Sequence, residues 1–292
     1  MKRIGYYKSC SLHASSKDYA RSLEASFARL DTELVPIEDW NCCGASSAHS
    51  SDELLGLALP ARNLALAEQQ GLTSLLVPCS ACYTRMLTAA EKMCRDDKTA
   101  EAVNGVLDPL HYLGTVQVKN ILEILWNEIG PDAILHAKKK DLQGMRVACY
   151  YGCYLTRTPG VPCFDDRENP QSMERLVRLL GAEPVDWPYK TDCCGAGFSL
   201  IEPSYSVQLC EKLYTMAYQK GAEAIIATCP LCQTNLDINQ DKIRREKGLP
   251  CYLPVFYISD LIGIATGCDL GRKQWRKHFI DPGDLLNRRA LG

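Results

Sequence analysis

Ten of the sixteen cysteines fall into one pattern written twice. The first copy is Cys10, the adjacent pair Cys42-Cys43 followed by Gly44, then Cys79 and Cys82. The second is Cys153, Cys193-Cys194 followed by Gly195, then Cys229 and Cys232. Counting intervening residues, the copies read C-x31-CC-x35-C-x2-C and C-x39-CC-x34-C-x2-C. Thiolates are soft metal ligands. A single zinc ion saturates at four ligands, whereas each copy offers five. Five thiolates speak for a polynuclear iron–sulfur centre, and the chemistry so implied is redox.

The spacing has its own logic. A C-x2-C placed where a strand hands over to a helix sets both sulfurs near unpaired helix N-terminal N–H groups, which favours the thiolate. Consecutive side chains of extended backbone point apart. The CC pair therefore suits a cluster of several irons, or a bent loop of the kind Gly44 and Gly195 permit.

Other readings explain less. Two zinc sites, each from a CC pair and a C-x2-C, leave Cys10 and Cys153 without a role. A thioredoxin-like dithiol at Cys79/Cys82 or Cys229/Cys232 ignores the CC pairs. Buried hydrophobic thiols do not account for the duplication. Cys94, Cys149, Cys163, Cys210, Cys251 and Cys268 lie outside the pattern and read as core or loop thiols. Of these, Cys149 and Cys163 lie close enough in sequence to Cys153 to replace it. The five histidines form no paired ligand motif; His49, six residues after Cys43, is the candidate proton donor. Gly195-Ala196-Gly197 is half of a dinucleotide fingerprint and is better explained as part of the CCG loop.

The elements that carry the cysteines repeat as well. Arg3 to Cys10 aligns with Arg146 to Cys153, and Thr73 to Cys79 aligns with Glu223 to Cys229. Each is a short apolar run rich in β-formers, the mark of a buried parallel strand, and each ends in a cysteine. Open α/β sheets place their sites at the carboxyl ends of strands. Helical patterns follow: Asp52 to Gln70 stopping at Gly71, and Tyr205 to Lys220 stopping at Gly221. A third pair of helices is expected over Val116 to Ile129 and Val255 to Thr266. Two similar α/β domains with parallel sheets result, with the metal sites at their interface. The expected domains are 1-143 and 144-268, divided near Lys138-Lys139-Lys140-Asp141, followed by a basic C-terminal tail, 269-292.

Bulk properties narrow the class. A length of 292 residues predicts about two domains. A net charge of −2 argues against a nucleic-acid or anionic-membrane surface as the main partner. The tail is locally basic (Arg272, Lys273, Arg276, Lys277, Arg288, Arg289), so it reads either as a solvated terminus or as a docking arm. The N-terminus has no apolar signal region, and no stretch approaches the roughly 18 apolar residues of a membrane span. A cytoplasmic chain with reduced thiols is expected, which disfavours a disulfide framework.

The duplicated motif resembles the CCG-domain, cysteine-rich family, in the two-copy form of the B-type heterodisulfide reductase subunit. The resemblance runs from Cys10 to about Gly267 and includes Leu253 to Gly263. It implies that Cys10, Cys42, Cys43, Cys79 and Cys82 hold one noncubane [4Fe-4S] cluster. Cys153, Cys193, Cys194, Cys229 and Cys232 would hold a second. It further implies two facing domains around a disulfide substrate, in methanogens the mixed disulfide of coenzymes M and B. The expected activity is an oxidoreductase acting on sulfur groups, with electrons from a C-like iron–sulfur subunit joined to an A-like flavin-containing one. An electron-transfer module with its chemistry on another subunit is the second reading. Two departures from the family pattern stand out: the second CC-to-C-x2-C spacing is one residue short, and Ser9 stands where the second copy has Gly152.

Overall fold

The computed structural model describes residues 1–249 and 251–291, except the side chains of Arg272 and Lys273. The first half builds a four-stranded parallel sheet in the order β2-β1-β3-β4. Its strands are β1 (Lys2–Tyr6), β2 (Thr32–Pro36), β3 (Ser74–Leu76) and β4 (Gln117–Lys119). The second half repeats it as β6-β5-β7-β8. Here β5 is Arg146–Tyr150, β6 Glu183–Pro184, β7 Ala224–Ala227 and β8 Val255–Tyr257. The aligned sequence runs occupy corresponding places, β1 beside β3 and β5 beside β7, with Gly5 opposite Leu75 and Val147 opposite Ala224. These central strands are largely buried, which is why they read as continuous apolar runs.

Four strands carry no clear signal in the sequence. The apolar pattern predicts helices from Val116 and Val255, but each segment begins as a strand, β4 and β8, and only then turns helical. Three residues are too few for a period of two to show beside a longer helical period. The switch points are local. Asn120 accepts hydrogen bonds from Leu122 N at 2.9 Å and Glu123 N at 3.1 Å, starting the helix there. In the second half, Tyr257 N donates to the Asp260 carboxylate at 2.9 Å. Strands β2 and β6, the sheet edges, are the other two.

The halves are packed together. Helix Lys17–Arg29 lies on helix Ile258–Ala265, and helix Ser80–Arg95 lies on helix Cys153–Thr156. Tyr19 stacks on Tyr257 with ring centroids 3.9 Å apart. One apolar core runs from Ile4 and Phe27 through Leu261 to Leu285, crossing between halves, while a second is confined to the second half around Trp187 and Leu213. The basic tail is neither loose nor extended. Leu285, Leu286 and Leu291 are buried, and Arg289 donates to Gln143 O at 2.8 Å and pairs with Glu223.

Candidate metal centres

Each half presents its pattern cysteines from three strand ends. After β1, Cys10 opens the short helix Cys10–His13; after β2 comes the Cys42-Cys43 loop; after β3, Cys79 is the N-cap of helix Ser80–Arg95, with Cys82 in its first turn. After β5, β6 and β7 the same roles fall to Cys153, to Cys193-Cys194, and to Cys229 and Cys232 in helix Pro230–Ile238. The CC loops bend at the following glycine, Gly44 at φ +72° and Gly195 at φ +81°. That backbone region penalises any residue with a Cβ. A Cβ at Gly44 would also lie 2.8 Å from the Ala48 Cβ, and one at Gly195 3.0 Å from the Ser206 Cα.

The thiols lie close enough to act on one another. In the first half Cys10 pairs with Cys42, and Cys82 with both Cys43 and Cys79. In the second half Cys153 pairs with Cys193, and Cys232 with both Cys194 and Cys229. The two sets approach one another at Cys79 and Cys229, which act on each other across the boundary between halves. Within these contacts one thiol is held low and its neighbour high. The Cys82 thiol holds Cys43 down to about 7, assisted by the Arg85 charge. The Cys153 thiol holds Cys193 down to about 6, assisted by Gly195 N–H at 3.3 Å. Cys232 and Cys79 hold Cys229 well below the usual thiol range. Cys79, Cys82 and Cys232 are pushed up as the donating partners. Cys43, Cys193 and Cys229 are thus the thiols that favour the charged form.

Two tyrosines join the site without any chemical signal in the sequence. Tyr7 and Tyr150 lie at the ends of β1 and β5, both buried. Tyr7 O–H donates to Asn41 O at 2.8 Å and Tyr150 O–H to Asp192 O at 2.6 Å, in each case the residue before the CC pair. Burial raises both phenols, and the thiols of the same half raise them further. The two phenols thus pin the CC loops to the sheet from inside each thiol set. The only available hint is that both tyrosines fall in the aligned strand runs.

Other candidates are placed as follows. Cys149 is buried in β5 and faces Glu174 rather than the thiol sets, so it belongs to the core. His49 lies on the short helix Ala48–Ser51 and lines a 280 Å³ cavity with Arg85, Thr88 and Lys92. Arg85 and Thr88 also line a 440 Å³ cleft between the halves, which reaches Cys153, Tyr154 and Arg157. A larger cavity, 1170 Å³, lies under the tail and is lined by none of the ten pattern cysteines. Among the described residues, no three His, Cys, Asp or Glu side chains converge as a ready ligand set for one metal ion. Five thiols per half, grouped as a pair and a neighbouring set of three, are a donor set that suits a larger iron–sulfur group rather than one metal ion.

The fold and site define a twin α/β protein with one cysteine-rich motif in each half. The cysteine-rich CCG domain model matches residues 4–87 and 147–237, and the chain belongs to that family. It is 33% identical over 288 residues to the 8-methylmenaquinol:fumarate reductase membrane anchor subunit of Wolinella succinogenes, covering 97% of this chain and 99% of that one. It is 27% identical over 272 residues to the B subunit of the ferredoxin/F(420)H(2)-dependent CoB-CoM heterodisulfide reductase of Methanosarcina acetivorans, covering 91% and 90%. The resemblance to the B-type heterodisulfide reductase subunit thus extends over most of the chain. A hypothetical protein of Helicobacter pylori shares the fold with a TM-score of 0.74 at 14% identity, covering 95% of this chain and 52% of that one. Both named relatives are subunits of reductases.

Proposed function

We propose that the chain is the catalytic subunit of a heterodisulfide reductase-like complex, reducing or forming a small-molecule disulfide such as the CoM-CoB heterodisulfide. Each cysteine set would hold a noncubane [4Fe-4S] cluster, on Cys10, Cys42, Cys43, Cys79 and Cys82 and on Cys153, Cys193, Cys194, Cys229 and Cys232. When bound, such clusters supply electrons one at a time, and cleaving a disulfide takes two. The observation that carries the reading is the approach of the two sets at Cys79 and Cys229, together with a cleft between the halves that reaches Cys153. Electrons would come from a C-like iron–sulfur partner and, behind it, an A-like flavin-containing one. The test is iron, acid-labile sulfide and zinc per chain on protein purified without oxygen, followed by disulfide turnover. About eight iron and eight sulfide with turnover support it; two zinc and no iron overturn it.

One observation favours a second reading, an electron-transfer module docked at a membrane in a fumarate reductase-type complex. The Wolinella relative is a membrane anchor subunit, and no helix among the described residues is long and apolar enough to cross a membrane. The loop after Gly195 instead exposes Phe198, Leu200 and Ile201, the last two at 96% and 84% exposure. A patch of this kind suits an apolar surface. Quinol oxidation without disulfide turnover, and binding to lipid vesicles, would select this reading.

A further inference from the structure

Three carboxyl groups are buried where the two halves and the C-terminal segment meet. Asp18 comes from helix Lys17–Arg29, Asp237 from helix Pro230–Ile238 and Asp260 from helix Ile258–Ala265. Their exposures are 2%, 1% and 0%. Asp260 accepts from Tyr257 N at 2.9 Å and from Gln274 Nε2 at 3.0 Å. Asp237 Oδ2 accepts from Phe279 N at 2.6 Å. Asp237 Oδ1 and Asp18 Oδ1 have no hydrogen-bond partner. The tail closes the cluster: Gln274 also donates to Asp18 O at 2.8 Å, and His278 places Nε2 3.7 Å from Asp18 Oδ2 with neither ring nitrogen hydrogen-bonded.

The charges facing these groups come from all the packed elements. Arg21 and Lys277 act on Asp18; Asp18 acts on both Asp237 and Asp260; Asp281 acts on His278. Burial dominates in every case. It holds Asp237 and Asp260 up at about 7, raises Asp18, and pushes His278 down to about 4. Asp18 thus adds to the burial that disfavours charge on the other two.

The cluster adjoins the sulfurs through Tyr19. The Tyr19 phenol feels Asp260 as well as Cys229 and Cys79. Its hydroxyl donates to Thr228 O at 2.8 Å, immediately before Cys229. Tyr257, stacked on Tyr19, donates to Gln233 Oε1 at 3.1 Å, and the Gln233 amide donates to Val255 O at 3.3 Å. Charge added at the Cys79–Cys229 contact is therefore felt by the carboxyls through a dry, poorly screening interior.

We propose that Asp18, Asp237 and Asp260 are a redox-linked proton store, taking up a proton from solvent as an electron reaches the centres held by the cysteines. The carboxylate becomes a carboxylic acid as the electron arrives from the donor protein. It returns the proton when the electron leaves. Phe279, whose N–H holds Asp237, has an exposed ring and lies on the solvent side of the cluster. This inference rests on the redox reading above, and it addresses the protons a disulfide cleavage consumes. An anchoring role alone would be served equally by amides, and this separates the two explanations.

The experiment uses the full chain, purified without oxygen with its own metal and titrated potentiometrically from about pH 5.5 to 9. The reduction potential is expected to fall as pH rises through neutrality. Asp237→Asn and Asp260→Asn should each remove a large part of that slope while leaving iron content unchanged. Asp18→Asn is the third variant should either of these fail to fold. Reduced-minus-oxidised infrared spectra should show a protonated-carboxyl band that is lost in the same variants. A flat wild-type potential, an unchanged slope in the variants, or no carboxyl band overturns the proton store and leaves the proposed function standing. A chain with no reducible centre takes both down.

Discussion

The loop that follows each CC glycine is built from opposite materials in the two halves. After Gly44 it reads Ala-Ser-Ser-Ala-His-Ser-Ser and folds into the short helix Ala48–Ser51. After Gly195 it reads Ala-Gly-Phe-Ser-Leu-Ile and exposes its apolar tip. His49 and Leu200 hold the same place, five residues beyond the glycine. The helix after each C-x2-C diverges in a similar way. Arg85 and Asn235 both stand three residues beyond the second cysteine. Arg85 sets a positive charge near Cys43, whereas Asn235 donates to Cys194 O at 2.7 Å and holds the CC loop without charge. The cysteine frame is thus duplicated while its surroundings are not. Two sites with the same ligand types are expected to differ in reduction potential and in what they face, because charge and exposure tune such centres.

The comparison can be broken most severely at the boundary. Cys79→Ser and Cys229→Ser should each lose about four of eight irons per chain if the sets hold separate centres, as iron and sulfide analysis would show. Loss of all iron from either variant would mean the sets are one unit.

The pH dependence of stability is the next largest effect. Folded Asp237 and Asp260 near 7 bind protons more tightly than unfolded carboxyls, so their contribution is full below about pH 4 and is lost as pH rises towards 7. His278, held down to about 4, works in the opposite sense: its contribution is lost as pH falls through the window from its usual value of 6.5 to 4. Two acids outweigh one histidine, so denaturant-derived stability should decline between pH 4 and 7 by a few kcal/mol. Asp237→Asn should flatten that decline.

Glycine substitutions test whether the two bends are equally strained. Gly44→Ala and Gly195→Ala should each cost about 1–3 kcal/mol in denaturant unfolding. Gly44→Ala is expected to be the worse, since its Cβ would meet both Ala48 and Leu59 within 2.9 Å.

Arg85→Gln sharpens the electrostatic difference. Cys43 should titrate a few tenths of a unit above its present value of about 7 in alkylation profiles of metal-free protein, with Cys193 unmoved. The shift is small because the Cys82 thiol, not Arg85, is the main cause. Smallest of all for the fold, Leu200→Ser with Ile201→Ser should change stability by under about 0.5 kcal/mol. Loss of vesicle binding in that double variant would mark the second-half loop as the membrane-facing one.

Much of the site is legible in the sequence because its chemistry is written in short spacings. A C-x2-C after an apolar run declares both the strand end and the helix start, and the structure places Cys79 and Cys229 at N-caps accordingly. The helix Glu53–Gln69 is equally readable from apolar spacing and the glycine that follows it, while its Asp52 cap is a finding of the structure. Strands β4 and β8 are not, since three residues carry too little period. Tyr7 and Tyr150 are visible as strand residues, but their hydroxyl partners lie 34 and 42 residues away.

The amino-acid sequence by itself determined the duplication, the paired α/β sheets and the collection of cysteines at strand ends, because local periodicity and ligand spacing are properties of neighbouring residues. Only the tertiary structure decided that the two sulfur sets meet at Cys79 and Cys229. It alone also brought Asp18, Asp237 and Asp260 together under the tail. Cys79 and Cys229, like Asp18 and Asp260, stand more than a hundred positions apart in the chain. A buried carboxyl carries no mark in the sequence that distinguishes it from a solvated one.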